Sequence, residues 1–426
     1  MINKYDLSGN WNFEFDKAQD GEIRRMYEHS YEYADTMYLP STTAIEKKGT
    51  ENINPEIWHL AEVYPFAGAV WFEKKVRISP EDVGRPLYLY MNRTRMTRVW
   101  VDGVFAGENN SLCAPHTYDI TKLVKSEEFS IAIEVKNICY PTGGGHMTSP
   151  DTQTNWIGIT GDFCLISGGV IEICDIKTYP DIYDNVVRLR VKINNHTENI
   201  VENTVFVTAE AFDINGDIDV KAPEFESEVF IKPGMNEYDF EMPMGDDTEL
   251  WSEHNPVVYR LEAQLCGDTF TTTFGMRDFK NEGLSFKING RKTFLRGKHD
   301  GMLFPLTGAA PTDVDEWIRI LEIAKSYGIN HYRYHTSCPP TAAFEAADLV
   351  GIYMEPQLPF WGTLAGEGDE NFEEQKPEQE YLISEGERIL EAYGNHPSFC
   401  MMSLGNELWG SEKRLAEILR KYKDQD

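Results

Sequence analysis

The chain has no stretch of apolar residues long enough to span a bilayer, which excludes a membrane-spanning helix as an organising element. It has no pair of cysteines at CxxC spacing. Its seven cysteines, at 113, 139, 164, 174, 266, 338 and 400, therefore form neither a zinc knuckle nor a dithiol redox motif. Their odd number and their apolar surroundings point to buried free thiols in a reducing compartment. Basic residues are scarce: 40 Lys and Arg against 70 Asp and Glu give a formal charge of -30, which argues against a nucleic-acid backbone as partner. The first residues, Met1 to Tyr5, lack the apolar core of a secretory signal, so a cytoplasmic location and no membrane partner are the expectation.

What is present is ordinary soluble composition over a length that accommodates two to four domains: 426 residues, 41% hydrophobic and 26% charged. Residues 1 to about 170 read as antiparallel β. Asn10 to Phe15, Val70 to Ile78, Pro86 to Asn92, Arg98 to Phe105 and Phe129 to Asn137 are short apolar-aromatic runs, and Asp102-Gly103 is a hairpin signal. Their spacing suits a jelly-roll sandwich. The loop Tyr140 to Met147 carries Gly143, Gly144 and Gly145. It is too glycine-rich to pack and is expected to reach toward a pocket. Residues 171 to 277 hold about seven alternating runs, the pattern of an immunoglobulin-like β-sandwich.

From 278 to 426 strands alternate with helices, as in a parallel α/β barrel. The expected order is a strand at Phe294 to Gly297, a helix at Thr312 to Tyr327, a strand at Ile329 to His335, and a helix after Pro339-Pro340. A strand at Ile352 to Leu358 follows, then a solvated acidic loop at Glu367 to Glu380, and a helix through Leu382 to Tyr393. Last come a buried strand at Phe399 to Leu404 and a helix at Ser411 to Lys423. Asn406 and Glu407 fall where that last strand emerges, at the end where such barrels place their chemistry. Leu404, Leu408 and Trp409 flank Glu407 and are expected to desolvate it, which raises a carboxyl toward the range of a general acid. The bland alternative is an Asn-Glu pair that only caps the next helix.

The stretch His396-Pro397-Ser398 through Ser403-Leu404-Gly405-Asn406-Glu407 resembles the acid/base signature of glycoside hydrolase family 2, the β-galactosidase, β-glucuronidase and β-mannosidase family. Other segments follow in that family's order. They include Gly68 to Phe72, Trp100 to Gly103, Tyr118 to Thr121, Gly158 to Leu165 (with Gly or Asp where the family has Arg), Trp251 to Leu261 and Phe274 to Arg277. Leu295 to Asp300 and Asn330 to Pro340 resemble its barrel segments, with His335 two residues after Arg333 where the family's His falls three after.

The resemblance implies an exo-acting retaining β-glycosidase on a carbohydrate substrate. Glu407 would be the general acid/base and Asn406 the partner of the sugar 2-hydroxyl. Beside them stand Arg333, to orient carboxylates by bidentate bonds; His299, Asp300 and His335, as hydroxyl ligands or structural groups; and Trp361 and Trp409, as sugar platforms or core. A β-galactoside is the first expectation, ahead of a β-glucuronide or β-mannoside. No organic cofactor is implied. Some family members bind a metal near the acid/base, but no ligand for one can be placed here. Homo-oligomers are common in the family.

The family's nucleophile, a Glu late in the barrel, has no match. A full barrel takes about 250 residues, and 278 to 426 is 149. The expectation is a chain that stops midway through its barrel. The alternatives are that Glu355 serves as the second carboxylate, or that the scaffold binds or supports without turnover.

Overall fold

The computed structural model describes residues 3–425. It is mostly β-sheet, with four α-helices gathered in the last third of the chain.

Residues 3–167 build two packed antiparallel sheets. One runs in the spatial order Asp35–Leu39, Gly9–Asp16, Ala69–Arg77, Glu128–Lys136, Met96–Val101, Val104–Asn109; the other runs Asn3–Asp6, Phe163–Ser167, Leu87–Met91, His116–Asp119. Alternation drives this: Trp11 and Phe13, Val70 and Phe72, Leu87, Leu89 and Met91 all point into one apolar layer. Asp102 (φ +46°) and Gly103 (φ +76°) both take the left-handed backbone of a two-residue hairpin turn, as their sequence predicts. Residues 171–274 form a second pair of sheets around Val187, Leu189, Val191, Val207, Ala209, Tyr259 and Leu261.

A small antiparallel sheet (Phe279–Glu282, Ser285–Ile288, Arg291–Thr293) leads into the parallel layer. Gly297–Asp300, His331–Tyr334 and Tyr353–Glu355 pair in that order and direction. The helices α1 (Val314–Ser326), α2 (Thr341–Val350), α3 (Phe372–Tyr393) and α4 (Glu412–Gln425) cover it. Asp313 caps α1 by accepting the Glu316 N–H at 2.9 Å, and Gly351 (φ +78°) ends α2 in the left-handed region.

Three expectations are corrected. The run Phe399 to Leu404 makes only single parallel bridges, Met354 with Phe399 and Gln357 with Ser403, and the regular strand is Asn406–Gly410, paired with Trp361–Leu364. Pro356 and Pro359 in the facing segment lack the N–H groups a continuous ladder needs. The first parallel strand begins at Gly297, not Phe294. The acidic segment expected as a solvated loop is, from Phe372 onward, the first half of α3. Polar side chains there find distant partners: Gln375 accepts the Ala365 N–H at 2.8 Å, and buried Gln379 donates to the Ala365 carbonyl at 2.9 Å. The thiols are all free, but only Cys113, Cys164 and Cys338 are buried; Cys139, Cys174 and Cys266 are exposed. No helix among the described residues is long and apolar enough to cross a membrane.

The first β layers and the helices meet at one carboxylate. Glu385 of α3 is fully buried. Its Oε1 accepts the N–H groups of Leu112 and Cys113, each at 2.8 Å, and the Ser111 hydroxyl at 3.1 Å; its Oε2 lies 3.2 Å from Arg388. Removing the carboxylate strands three donors in a dry interface. Glu385→Ala is expected to cost about 3–5 kcal/mol of unfolding free energy, with Glu385→Gln costing less, read as a shift in urea midpoint at constant slope.

Candidate active site

Register decides which side chains share a face. His299, Arg333 and Glu355 pair across three parallel strands, and His331 lies two residues before Arg333. With a side-chain period of two, these four point to the same side of the layer. The opposite side, with Tyr332 and Met354, packs into the core shared with α1 and α2. Four polar groups on one inner face of a parallel layer are not there for packing.

Glu355 lies 3.0 Å from His331 Nε2, and the Ser403 hydroxyl donates to its Oε1 at 2.5 Å. Burial pushes this carboxyl up, but the contacts with His331 and Ser403 and the charges of His331 and Arg333 outweigh it and hold it below the ordinary range. Glu355 is therefore an ionised carboxylate at neutral pH. Arg333 Nη2 donates to Asn406 Oδ1 at 3.1 Å. This single bond replaces the expected bidentate clasp of a carboxylate, because the amide of Asn406, not a carboxyl group, meets the guanidinium.

Asn406 is buried and its N–H donates to the Phe360 carbonyl at 3.0 Å. The crossing is tight: a Cβ on Gly405 would lie 2.4 Å from that same oxygen. Glu407 follows with φ +46°, a left-handed conformation that costs a non-glycine residue on the order of 1–3 kcal/mol. The Trp361 indole N–H donates to Glu407 Oε2 at 3.1 Å. Glu407 is exposed, so the desolvation expected from Leu404, Leu408 and Trp409 is not present. Trp409 is 72% exposed and Trp361 40%, which removes the core-packing alternative for both. Neither Asn406 nor Glu407 makes a side-chain cap for α4; Ser411 does, accepting the Arg414 N–H at 3.3 Å.

His335 is buried at the end of its strand. Its ring lies 4.9 Å from that of His299, stacked, 5.4 Å from Trp361, edge-on, and 4.6 Å from that of His146. Asp300 already has protein partners: it pairs with Lys298 at 2.5 Å and accepts the Met302 N–H at 2.7 Å. Among the described residues no group of three or more His, Cys, Asp or Glu converges to hold a metal ion, and no residue is assigned to one.

Sequence reading missed His146, His331 and Ser403 as site residues. The glycine run before His146 marked a reaching loop, but its target is a contact across some 190 residues and has no local signature. His331 was legible in principle, since it stands in phase with Arg333 along one strand.

Comparison with known proteins gives the chain a family likeness. The family model described as glycosyl hydrolases family 2 matches residues 171–277. The chain is 24% identical over 439 residues to a β-galactosidase of Priestia megaterium, covering 95% of this chain and 41% of that protein. It is 26% identical over 387 residues to a putative β-glucuronidase of Formosa agariphila, covering 86% and 44%. A solved β-glucuronidase from Ruminococcus gnavus superposes with a TM-score of 0.76 at 17% identity, covering 100% of this chain and 71% of that one. Residues 171–277 thus match the glycosyl hydrolase family 2 model, and the likeness to a β-galactosidase and a putative β-glucuronidase extends over most of the chain. The chain spans about two fifths of the length of these two curated relatives.

The segment that delivers Glu407 is fixed upstream. His396 Nδ1 lies 2.6 Å from Asp348 Oδ2, Ser398 N–H donates to Asp348 Oδ1 at 3.0 Å, and Arg277 donates to the Phe399 carbonyl at 2.8 Å. Burial alone would lower His396, but the Asp348 carboxylate outweighs it and holds the imidazole above its ordinary 6.5. The folded state then binds this proton more tightly than the unfolded chain. Its stabilisation is complete below the unfolded value, about 6.5, and is lost as pH rises through the folded value. Asp348→Asn is expected to flatten that decline, measured as thermal midpoint against pH from about 6 to 8 with the parent protein alongside.

Proposed function

We propose that this chain carries the acid/base side of an exo-acting retaining β-glycosidase, with a β-galactoside as substrate. The architecture under this reading is a jelly-roll domain (1–170), an immunoglobulin-like sandwich (171–277) and the first half of a (β/α)8 barrel (278–426). The observation that carries it is the linked series Arg333–Asn406–Glu407–Trp361, which joins the end of the strand His331–Tyr334 to the starts of the parallel pair Trp361–Leu364 and Asn406–Gly410. Glu407 protonates the leaving glycosidic oxygen and later takes a proton from water. Asn406, held by Arg333, meets the 2-hydroxyl. Trp361 orients the carboxyl through its indole N–H and presents a partly exposed face to the sugar.

The second carboxylate of a retaining mechanism has no match in this sequence to the family's nucleophile. Glu355 is ionised on the same inner face and is the candidate this chain offers. The relatives' names, β-galactosidase and putative β-glucuronidase, support the reaction class and leave the sugar to experiment. Exposure of Glu407 favours one other reading, a protein that holds sugars without turning them over.

Glu407→Gln is the test. Turnover of β-galactosides with poor leaving groups should fall by about 10²–10⁴-fold, while a dinitrophenyl β-galactoside, whose leaving group needs no proton, keeps its cleavage rate. Equal loss on both kinds of substrate rules out the acid role. A parent protein that turns over no aryl β-glycoside at all leaves the sugar-holding reading.

A further inference from the structure

The glycine-rich loop ends on a histidine that no part of the reading above uses. The loop leaves the first β layers and docks against the strand ends. Gly144 bridges Phe360, and a Cβ there would lie 2.3 Å from the Trp361 carbonyl; a Cβ on Gly145 would lie 3.0 Å from the Thr336 side chain. Only glycine allows this approach. The backbone of His146 is then held on both sides. Its N–H donates to Thr336 Oγ1 at 2.8 Å, and its carbonyl accepts from Thr152 at 3.1 Å and Thr154 at 2.5 Å. Buried Arg95 holds the next carbonyl, that of Met147, at 3.0 Å. On the other side of the contact Thr336 is itself strained (φ +46°) and pinned through its N–H to Gln357 at 2.8 Å. Every one of these anchors uses backbone atoms of the loop, so the loop would dock with a different side chain at 146. The imidazole is what the arrangement delivers.

It delivers it 4.6 Å from His335, tilted 46° to that ring; His335 in turn stacks on His299 and meets Trp361, the residue bonded to Glu407, edge-on. We propose that His146 is a specificity-determining residue of the sugar site, and that the cluster of His146, His335 and His299 reads the hydroxyl groups of a neutral β-hexoside and disfavours a uronide. This deepens the glycosidase reading and rests on it for the location of the sugar. His146 Nδ1 is buried against Gly301 and His335 Nδ1 lies 3.2 Å from Thr336 Oγ1, so each ring has its Nε2 left for a hydroxyl, and the two rings together suit an adjacent pair. Burial holds His146 below its ordinary value. Burial, then the neighbouring His146 and His299 rings and Arg333, hold His335 down to about 4. The two cations beside the cluster are both engaged: Lys298 pairs with Asp300, and Arg333 donates to Asn406 and acts by its charge on the ionised Glu355. A sugar carboxylate would have to draw one of them from its partner, and a polar site built for hydroxyls rejects a ligand that leaves its groups unpaired.

The test is equilibrium binding by calorimetry of phenyl 1-thio-β-D-galactoside and phenyl 1-thio-β-D-glucuronide, at pH 7, to the parent protein and to His146→Phe, His146→Gln and Gly144→Val. The parent should prefer the thiogalactoside. His146→Phe, which keeps the ring volume and loses the hydrogen bonds, should weaken that ligand by about tenfold or more and leave the uronide unchanged. His146→Gln should retain most of the binding. Gly144→Val, with the imidazole intact but its loop displaced, should mimic His146→Phe. Thermal midpoints check that each variant is folded, and should His146→Phe fail to fold, the Gln and Gly144 variants decide. Equal affinity of parent and His146→Phe for the thiogalactoside, tighter binding of the uronide, or binding of neither ligand overturns the proposal. Binding needs no turnover, so thiogalactoside affinity that depends on His146 in a protein without activity sinks the glycosidase reading and leaves this one standing.

Discussion

The carboxylate of Glu385 is the contact on which the site depends, although it lies outside it. A fully buried carboxylate is stable only when its oxygens are met by donors, and here two backbone N–H groups, a hydroxyl and an arginine meet it. The match works in both directions, because the 111–113 turn would otherwise bury its own N–H groups without partners. This lock seats Leu112 and Cys113 in the core that otherwise belongs to the helices, where the Tyr393 hydroxyl donates to the Cys113 carbonyl at 2.8 Å. Arg93 extends the same interface by donating to the Cys338 carbonyl at 2.9 Å, and the glycine-rich loop extends it to Thr336. The face that would meet a sugar is thus assembled from two parts of the chain, and neither part holds it alone.

The other end of the parallel layer is closed. Trp251, fully buried, donates its indole N–H to the Asp348 carbonyl at 2.8 Å and packs edge-on against Tyr353, and Phe279 packs on the same ring. Tyr353 is in phase with Glu355, two residues earlier on its strand. One inner face therefore runs from an aromatic plug at the strand starts to an ionised carboxylate at the strand ends. That polarity is what confines the chemistry to the side where Asn406 and Glu407 emerge. Trp251 and Arg277 act here: Trp251 holds the Asp348 carbonyl, whose side chain anchors His396 and Ser398, and Arg277 holds the Phe399 carbonyl of the segment that leads to Glu407.

What could be read in advance follows the range of the interactions. Strands such as Ala69–Arg77 and Val186–Asn195 declared themselves because their alternation meets a core a few ångströms away. The Asp102-Gly103 turn did so because its backbone conformation selects its residues. The segment before Glu407 misled because a nearly continuous apolar run, Phe399 to Leu404 broken only by Ser403, signals burial, whereas a ladder also needs N–H groups on the facing chain, and Pro356 and Pro359 withhold them. The start of α3 misled because glutamates and glutamines in a run read as solvated. Gln379 and Glu385 are instead buried, each satisfied by residues far away in sequence. At the site, Glu407, Asn406 and Arg333 were legible from motif and position. His146 was not, since its function is set by where a loop lands.

The exposed acid is the point at which geometry and chemistry must be reconciled. A general acid works best with a pKa near the working pH, and burial is the usual way to raise a carboxyl toward it. Glu407 has orientation instead. A left-handed backbone, a glycine with no room for a Cβ before it, and an indole N–H on Oε2 all restrict where its carboxyl can point. Orientation is the term that has to be in place before substrate arrives, because it is costly to impose late. Desolvation can be supplied by the substrate itself: a sugar lying against the exposed face of Trp361 would cover the carboxyl that its indole holds and exclude water at the moment the proton is needed. The apo protein then holds its carboxyl aimed and hydrated, and the ligand completes the dry surroundings in which a proton is passed.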